Sequence, residues 1–248
     1  LKFNPGPQFK EHLTFENYVK LNNIENVQEH MQFRQTAIKI TRERLSKDKS
    51  LIGFVGGFWT VMRFAIGQNK EQKQFQKFYT EYLENTLYEA IKINIKLQLE
   101  AGAEIVMMFD SGIQDLDNNF FQKEYTNLLD KIANLYPGKI GYYVRGKQFN
   151  EIKHLLKLPF AGVGTDSSMN LKHLFTDFKH GFIQGNFDEK KLLLSTQHLT
   201  EELDKFAENC NSFENLNGWV CGLGHGINKN TPEKNVHLFI ETIRNKFK

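Results

Sequence analysis

A closed (β/α)8 TIM barrel, present as about six of its eight βα units, is the fold that this sequence predicts. Three observations predict it. From residue 51 onward, short apolar runs alternate with helical stretches. The runs are apolar on both faces, the mark of parallel strands covered by helices. Each run stops at glycine or polar residues: Gly56-Gly57, Asp110-Ser111, Arg145, Asp166-Ser167, Gln184 to Asp188, and His225. In barrels those strand ends build the active site. No G-x-G-x-x-G opens a helix, which argues against a dinucleotide-binding sheet. An open six-stranded sheet exposes two apolar edges, which native proteins avoid. The first two βα units are therefore expected upstream of Leu1, with residues 1–248 forming a single barrel domain truncated there. No Pro/Ser-rich linker divides the chain.

Each element has its own local signal. Pro5-Gly6-Pro7 is turn chemistry in a leading loop over residues 1–9. Thr14-Phe15-Glu16-Asn17 opens a short helix, with Thr14 as N-cap candidate. Val27, Met31, Ala37, Ile38 and Leu45 mark a helix over 24–46. Leu51 to Gly57 is a buried strand, and Phe58 to Phe64 starts the next element. Helices are expected over 70–85 and 86–101; in the second, Leu87, Ile91, Ile95 and Leu99 form one stripe, and Gly102 stops it. Strands follow at 105–109, 140–144, 161–164, 181–185 and 219–223. Helices are expected over 120–135, 148–157, 170–178, 189–212 (one long or two short) and 232–246, the last with Thr231 as N-cap and Pro232 at N1.

Composition narrows the function. With 248 residues, 40% hydrophobic and 25% charged, the chain suits a soluble globular protein. A net charge of +3 is too small for nucleic-acid binding and suits an anionic small molecule. Cys210 and Cys221 form neither a C-x-x-C pair nor a disulfide framework, so a reducing, cytoplasmic setting is expected. No apolar stretch of about 18 residues and no signal peptide occurs, so no membrane partner is expected. No metal-ligand spacing stands at the strand ends. Ser111, Asp110 and His225 lack a G-x-S-x-G elbow and are a poor nucleophilic triad.

The strand-end motifs carry a resemblance. Phe109-Asp110-Ser111 resembles the Phe-[Asp/Glu]-Ser motif of the uroporphyrinogen decarboxylase family. Leu51 to Val61 is similar to its Leu-Ile-Gly-Phe-x-Gly-x-Pro-[Trp/Phe]-Thr-Leu segment. Gln184 to Asp188 resembles Gln-Gly-Asn-Leu-Asp. Leu223 to Ile227 with Thr231 to Val236 resembles Asn-Leu-Gly-His-Gly…Thr-Pro-Pro-Glu-Asn-Val. Leu1 to Phe9 is similar to Phe-x-Pro-Gly-x-Gly-Pro. The resemblance implies a cofactor-independent carboxy-lyase of porphyrin and heme biosynthesis, a homodimer. It converts uroporphyrinogen III to coproporphyrinogen III by removing four acetate carboxyl groups. It implies that Phe64, Phe109, Ser111 and His225 bind substrate, with no metal. It also implies that the catalytic residues, an Arg-Gln-Ala-Gly-Arg motif and an aspartate, lie upstream of Leu1, so that none is in this chain.

The chain departs from the family at several points. Phe64 stands for a Tyr, Gly112 for a frequent Trp, Phe58 for a Pro, and Ser167 for a Trp after Asp166. Two alternatives follow. One is a related corrinoid- or thiol-directed methyltransferase, whose His-x-Cys and last-strand Cys would fall near Thr165-Asp166-Ser167 and His225. The other is a divergent, inactive paralogue. Taken alone, His225 reads as a loop histidine, Ser111 as a turn former, and Phe64 and Phe109 as core aromatics. Asp166 and Asp188 read as helix caps, Arg63 and Arg145 as surface charges (Arg145 within reach of an anion), and the lysine-rich stretch at 70–80 as a solvated face.

Overall fold

The computed structural model describes residues 2–3, 7–8, 11–14, 26–67, 79–213 and 215–247. Helix residues 15–17 and 70–78 of the sequence reading lie outside them. Six parallel strands stand side by side in the order of the chain, alternating with helices. The chain divides into two compact units, Leu1–Tyr143 and Val144–Lys248.

The first unit opens with Lys2–Phe3 (β1) paired antiparallel to Pro7–Gln8 (β2), where the sequence suggests only a loop. Val27–Arg44 (α1) lies inside the expected range. Its stripe is only half-buried, and Ala37 is exposed. Ile52–Gly56 (β3) runs parallel to Ile105–Asp110 (β4), in register from Ile52↔Ile105 to Gly56↔Phe109. Ile140–Val144 (β5) is buried throughout.

Between these strands, Phe58–Ile66 (α2) buries Phe58, Trp59, Met62 and Ile66. Phe58 takes the N1 slot that suits proline. Its ring instead fills the core, stacked 5.7 Å from Tyr88. A π-helical segment, Tyr79–Leu87, leads into Tyr88–Glu100 (α3). Gly102 turns the chain out of this helix at φ +107. A second π-helical turn, Phe121–Tyr125, precedes Thr126–Leu135 (α4) and buries both Phe121 and Tyr125.

Strand β3 differs from expectation. Ile52 and Phe54 are 44% and 69% exposed, so only one of its faces is covered. The covered side uses polar groups as well as apolar ones. Gln98, buried on α3, accepts from Phe54 N at 3.0 Å and donates Nε2 to Phe54 O at 3.0 Å and to Asn94 Oδ1 at 3.0 Å. Buried amides persist when their bonds are made in this way.

The second unit contains Phe149–Ile152 (α5), Gly162–Thr165 (β6), Leu171–Asp177 (α6) and Phe182–Gln184 (β7). Thr196–Asn211 (α7), Trp219–Val220 (β8) and Glu233–Lys246 (α8) complete it. Gly164 pairs with Gln184, and Gln184 with Val220. The expected last strand is shorter, and its Leu223 keeps only an isolated bridge to Phe187. The 189–212 stretch resolves into a 3-10 turn, Glu189–Leu193, and α7. Asp188 caps the turn by accepting from Lys190 N at 3.0 Å, and Ser195 caps the helix. At α8, Pro232 itself is the N-cap rather than Thr231, whose buried Oγ1 has no hydrogen-bond partner among the described residues.

Phe187, Leu192, Leu199, Leu203 and Phe239 form the core of this unit. Leu203 is fully buried. Leu203→Ala is expected to destabilise the unit by about 2–5 kcal/mol through lost transfer energy and the cavity left behind. The urea midpoint of unfolding measures this; a change below about 0.5 kcal/mol would show that the site collapses freely.

Candidate functional site

In the first unit the site grows from the end of β4. The N-cap of α2 is Gly57, which has no side chain to offer. The first-turn donors of this helix are satisfied from elsewhere. Thr60 N and Thr60 Oγ1 donate to Asp110 Oδ1 at 3.0 and 2.8 Å, and Trp59 N donates to Tyr125 Oη at 3.0 Å. Asp110 Oδ2 accepts from Tyr125 Oη and from Tyr142 Oη, the latter at 3.1 Å. Asp110 is fully buried. Burial raises its pKa above the usual carboxylate value, against the lowering effect of these donors. Burial and the neighbouring carboxylate raise both tyrosines well above theirs. A side chain at Gly57 would collide with this carboxyl group.

The network positions the residue that follows it. Gly112 N donates to Thr60 Oγ1 at 2.9 Å, and Arg63 pairs with Asp115 while reaching Gly112 O at 3.4 Å. Arg63 is thus a clamp on the 110–112 turn rather than a surface charge. Ser111 lies inside that turn, half-buried. Its hydroxyl makes no hydrogen bond with a described residue. Asp110 is committed to Thr60, Tyr125 and Tyr142, which removes it from any triad with Ser111 and His225.

Phe109 belongs to an aromatic row across three strands. Its ring centroid lies 6.5 Å from that of Phe54 and 5.5 Å from that of Tyr143. Phe54 is the exposed end of this row. Phe64, on α2, is 44% exposed and offers an apolar ring without a hydroxyl.

In the second unit the site grows from the ends of β5, β6 and β8. Asp166, just past β6, accepts from Gly146 N at 2.5 Å and from Ser168 N at 2.9 Å. It does not cap α6, because Asn170 does so by accepting from Lys172 N at 2.9 Å. Gly224 lies against the same loop, where an added Cβ would stand 2.6 Å from Ser167 N. Gly224 N also donates to Phe187 O at 2.7 Å. These contacts fix His225, which is half-buried. Its Nδ1 accepts from Gly226 N at 2.5 Å. That bond leaves the Nε2 nitrogen to carry the ring proton. Burial first, and Arg145 second, hold the His225 pKa below its usual value. Among the described residues, no three His, Cys, Asp or Glu side chains are grouped to hold a metal ion. No helix among them is long and apolar enough to cross a membrane.

The family model described as uroporphyrinogen decarboxylase (URO-D) matches residues 1–246. The chain belongs to the uroporphyrinogen decarboxylase family. Its relatives include proteins of that name. The protein from Orientia tsutsugamushi (strain Ikeda) is 29% identical over 223 residues, covering 84% of this chain and 64% of the relative. The one from Campylobacter fetus subsp. fetus (strain 82-40) is 27% identical over 261 residues, covering 99% and 74%. The chain thus spans just under two thirds of the length of the first relative. Among solved structures, a methyltransferase from Methanosarcina mazei aligns with TM-score 0.66 at 20% identity, covering 91% of this chain and 65% of that one. A B12-independent methionine synthase from Shewanella sp. W3-18-1 aligns with TM-score 0.61 at 10% identity, covering 85% and 64%. At such identities these likenesses concern the fold alone.

The sequence reading named Phe64, Phe109, Ser111 and His225. The first three fall in the first unit around the α2–β4 corner, and His225 falls in the second. In the sequence Asp110 reads as a strand-end motif residue and a poor triad member, not as a buried hub; its tyrosine partners, 15 and 32 residues away, give no local signal. Asp110→Asn is expected to cost about 1–3 kcal/mol at neutral pH, because an amide NH2 would face buried donors. The pH dependence has a definite sign. Because the folded pKa is raised, stability from this group falls as pH rises from 3.8 through the folded value, then levels off. The stability gap between wild type and Asp110→Asn should therefore narrow across that window. Urea unfolding at a series of pH values measures it, and a gap that widens with pH would contradict the assignment.

Proposed function

We propose that this chain serves the decarboxylation of uroporphyrinogen III to coproporphyrinogen III, with Phe64, Phe109, Ser111 and His225 as substrate-binding residues. The observation that carries the reading is the family match over residues 1–246, with its motifs falling at strand ends. Loss of carbon dioxide from a pyrrole acetate requires protonation of the ring. Positive charge then builds up beside the leaving group, and a preorganised, water-poor pocket stabilises it best. The substrate has apolar faces and an anionic rim. The aromatic row of Phe54, Phe109 and Tyr143 supplies an apolar wall. Ser111 supplies an unused hydroxyl in a clamped turn. His225 supplies an Nε2–H donor for a carboxylate. Phe64 offers an exposed apolar ring but contributes no hydrogen bond. In this reading the protein works in the cytoplasm as a homodimer without a cofactor, and the proton-transfer step is not assigned to any residue of this chain.

The test is anaerobic incubation of the purified protein, in its complete encoded form, with uroporphyrinogen III, followed by chromatography of the oxidised porphyrins. Coproporphyrin is expected. His225→Ala should lower kcat/KM by roughly ten-fold or more, the worth of a hydrogen bond to a charged group. A folded protein that yields no coproporphyrin would overturn the reading and point to an inactive paralogue. Stoichiometric zinc in the pure protein would point instead to the methyltransferase alternative.

A further inference from the structure

We propose that Arg145 and His225 together form a carboxylate-binding subsite in the second unit, with Arg145 supplying the charge and His225 the directed hydrogen bond. The inference rests on the reading of the substrate as a polycarboxylate.

Arg145 is the first residue after β5 and is half-buried, yet it makes no hydrogen bond or ion pair with any described residue. A guanidinium carries five donors in a planar fork that matches a carboxylate, so one that no described side chain uses is open to such a ligand. The fold brings it toward His225 through one loop. Asp166 accepts from Gly146 N at 2.5 Å, next to Arg145. The following residue, Ser167, lies against Gly224, next to His225. The loop after β6 thus ties the loops after β5 and β8 together.

The two groups complement each other. With Nδ1 engaged by Gly226 N, neutral His225 has a donor but no charge. Arg145 acts on the imidazole more strongly than the nearby acids Glu189 and Asp166, and in the opposite sense. Burial first and Arg145 second hold the imidazole pKa below its usual value, so the charge for a bound anion comes from the arginine. Asp166 is already taken by Gly146 N, Ser168 N and Ser168 Oγ. Glu189 is the other acid among the described residues that acts on His225, and its charge opposes a bound anion.

Two probes separate this inference from the tetrapyrrole reading. The first is sodium propionate, followed by the imidazole nitrogen–proton correlations of His225. The second is uroporphyrin III, titrated calorimetrically. Propionate is expected to shift the His225 signals in the wild type, in Arg145→Lys and, at lower concentration, in Glu189→Gln. In Arg145→Gln the dissociation constants for both probes should rise roughly ten-fold or more. Arg145→Lys controls for folding by keeping the charge. If propionate shifts His225 in an Arg145-dependent way but uroporphyrin III does not bind, the subsite stands and the tetrapyrrole reading falls. If uroporphyrin III binds equally to wild type and Arg145→Gln, the subsite is overturned while the tetrapyrrole reading survives. Failure of both probes to bind the wild type would overturn the subsite as well.

Discussion

A carboxylate sealed in the first unit holds the corner on which much of that unit depends. Taking such a group out of water costs several kcal/mol unless its oxygens are fully engaged. Here Thr60, Tyr125 and Tyr142 engage them, and each donor comes from a different element. The result is a helix whose cap is supplied from a neighbouring strand. Gly57 leaves the space, Asp110 fills it with acceptor oxygens, and the first-turn donors of α2 meet them. The corner joins β3, α2, β4 and the aromatic core, and the turn bearing Ser111 inherits its rigidity.

The second unit uses an aspartate at a comparable strand end in another way. Asp166 remains partly open and gathers backbone donors from its own turn and from Gly146. Asp110 stabilises a helix; Asp166 sets the spacing of loops. The two differ in burial, Asp110 fully enclosed and Asp166 half-buried.

The sequence made the strand–helix alternation legible because glycines and polar residues bracket each apolar run. It also made the strand-end residues legible, since the C-terminal ends of parallel strands are where side chains gather. What it hid was non-local. The two π-helical segments shift the helical register by one residue and leave no compositional trace. The cap of α2 could not be found beside the helix, because its donors' partners come from β4 and from residue 125. Thr231-Pro232 looked like a cap followed by N1, yet the helix begins one residue later. Asp166 looked like a helix cap because Asp favours that role, but Asn170 stands closer to the first turn. The exposure of Phe54 was invisible because an apolar run reads the same whether one face is covered or two.

Gln98 gives the first unit one more property. Leu51 O and Gly57 N bond toward β4, so the backbone of Phe54 points to the opposite edge of β3. There the side-chain amide of Gln98 takes both its N–H and its C=O, standing in for one peptide unit of an adjoining strand. At its midpoint that edge is met by a substituent of a helix, which engages both backbone groups of Phe54. Strand and helix also share one opening event: the Phe54 amide cannot exchange its proton with solvent until α3 lifts away or Gln98 swings out.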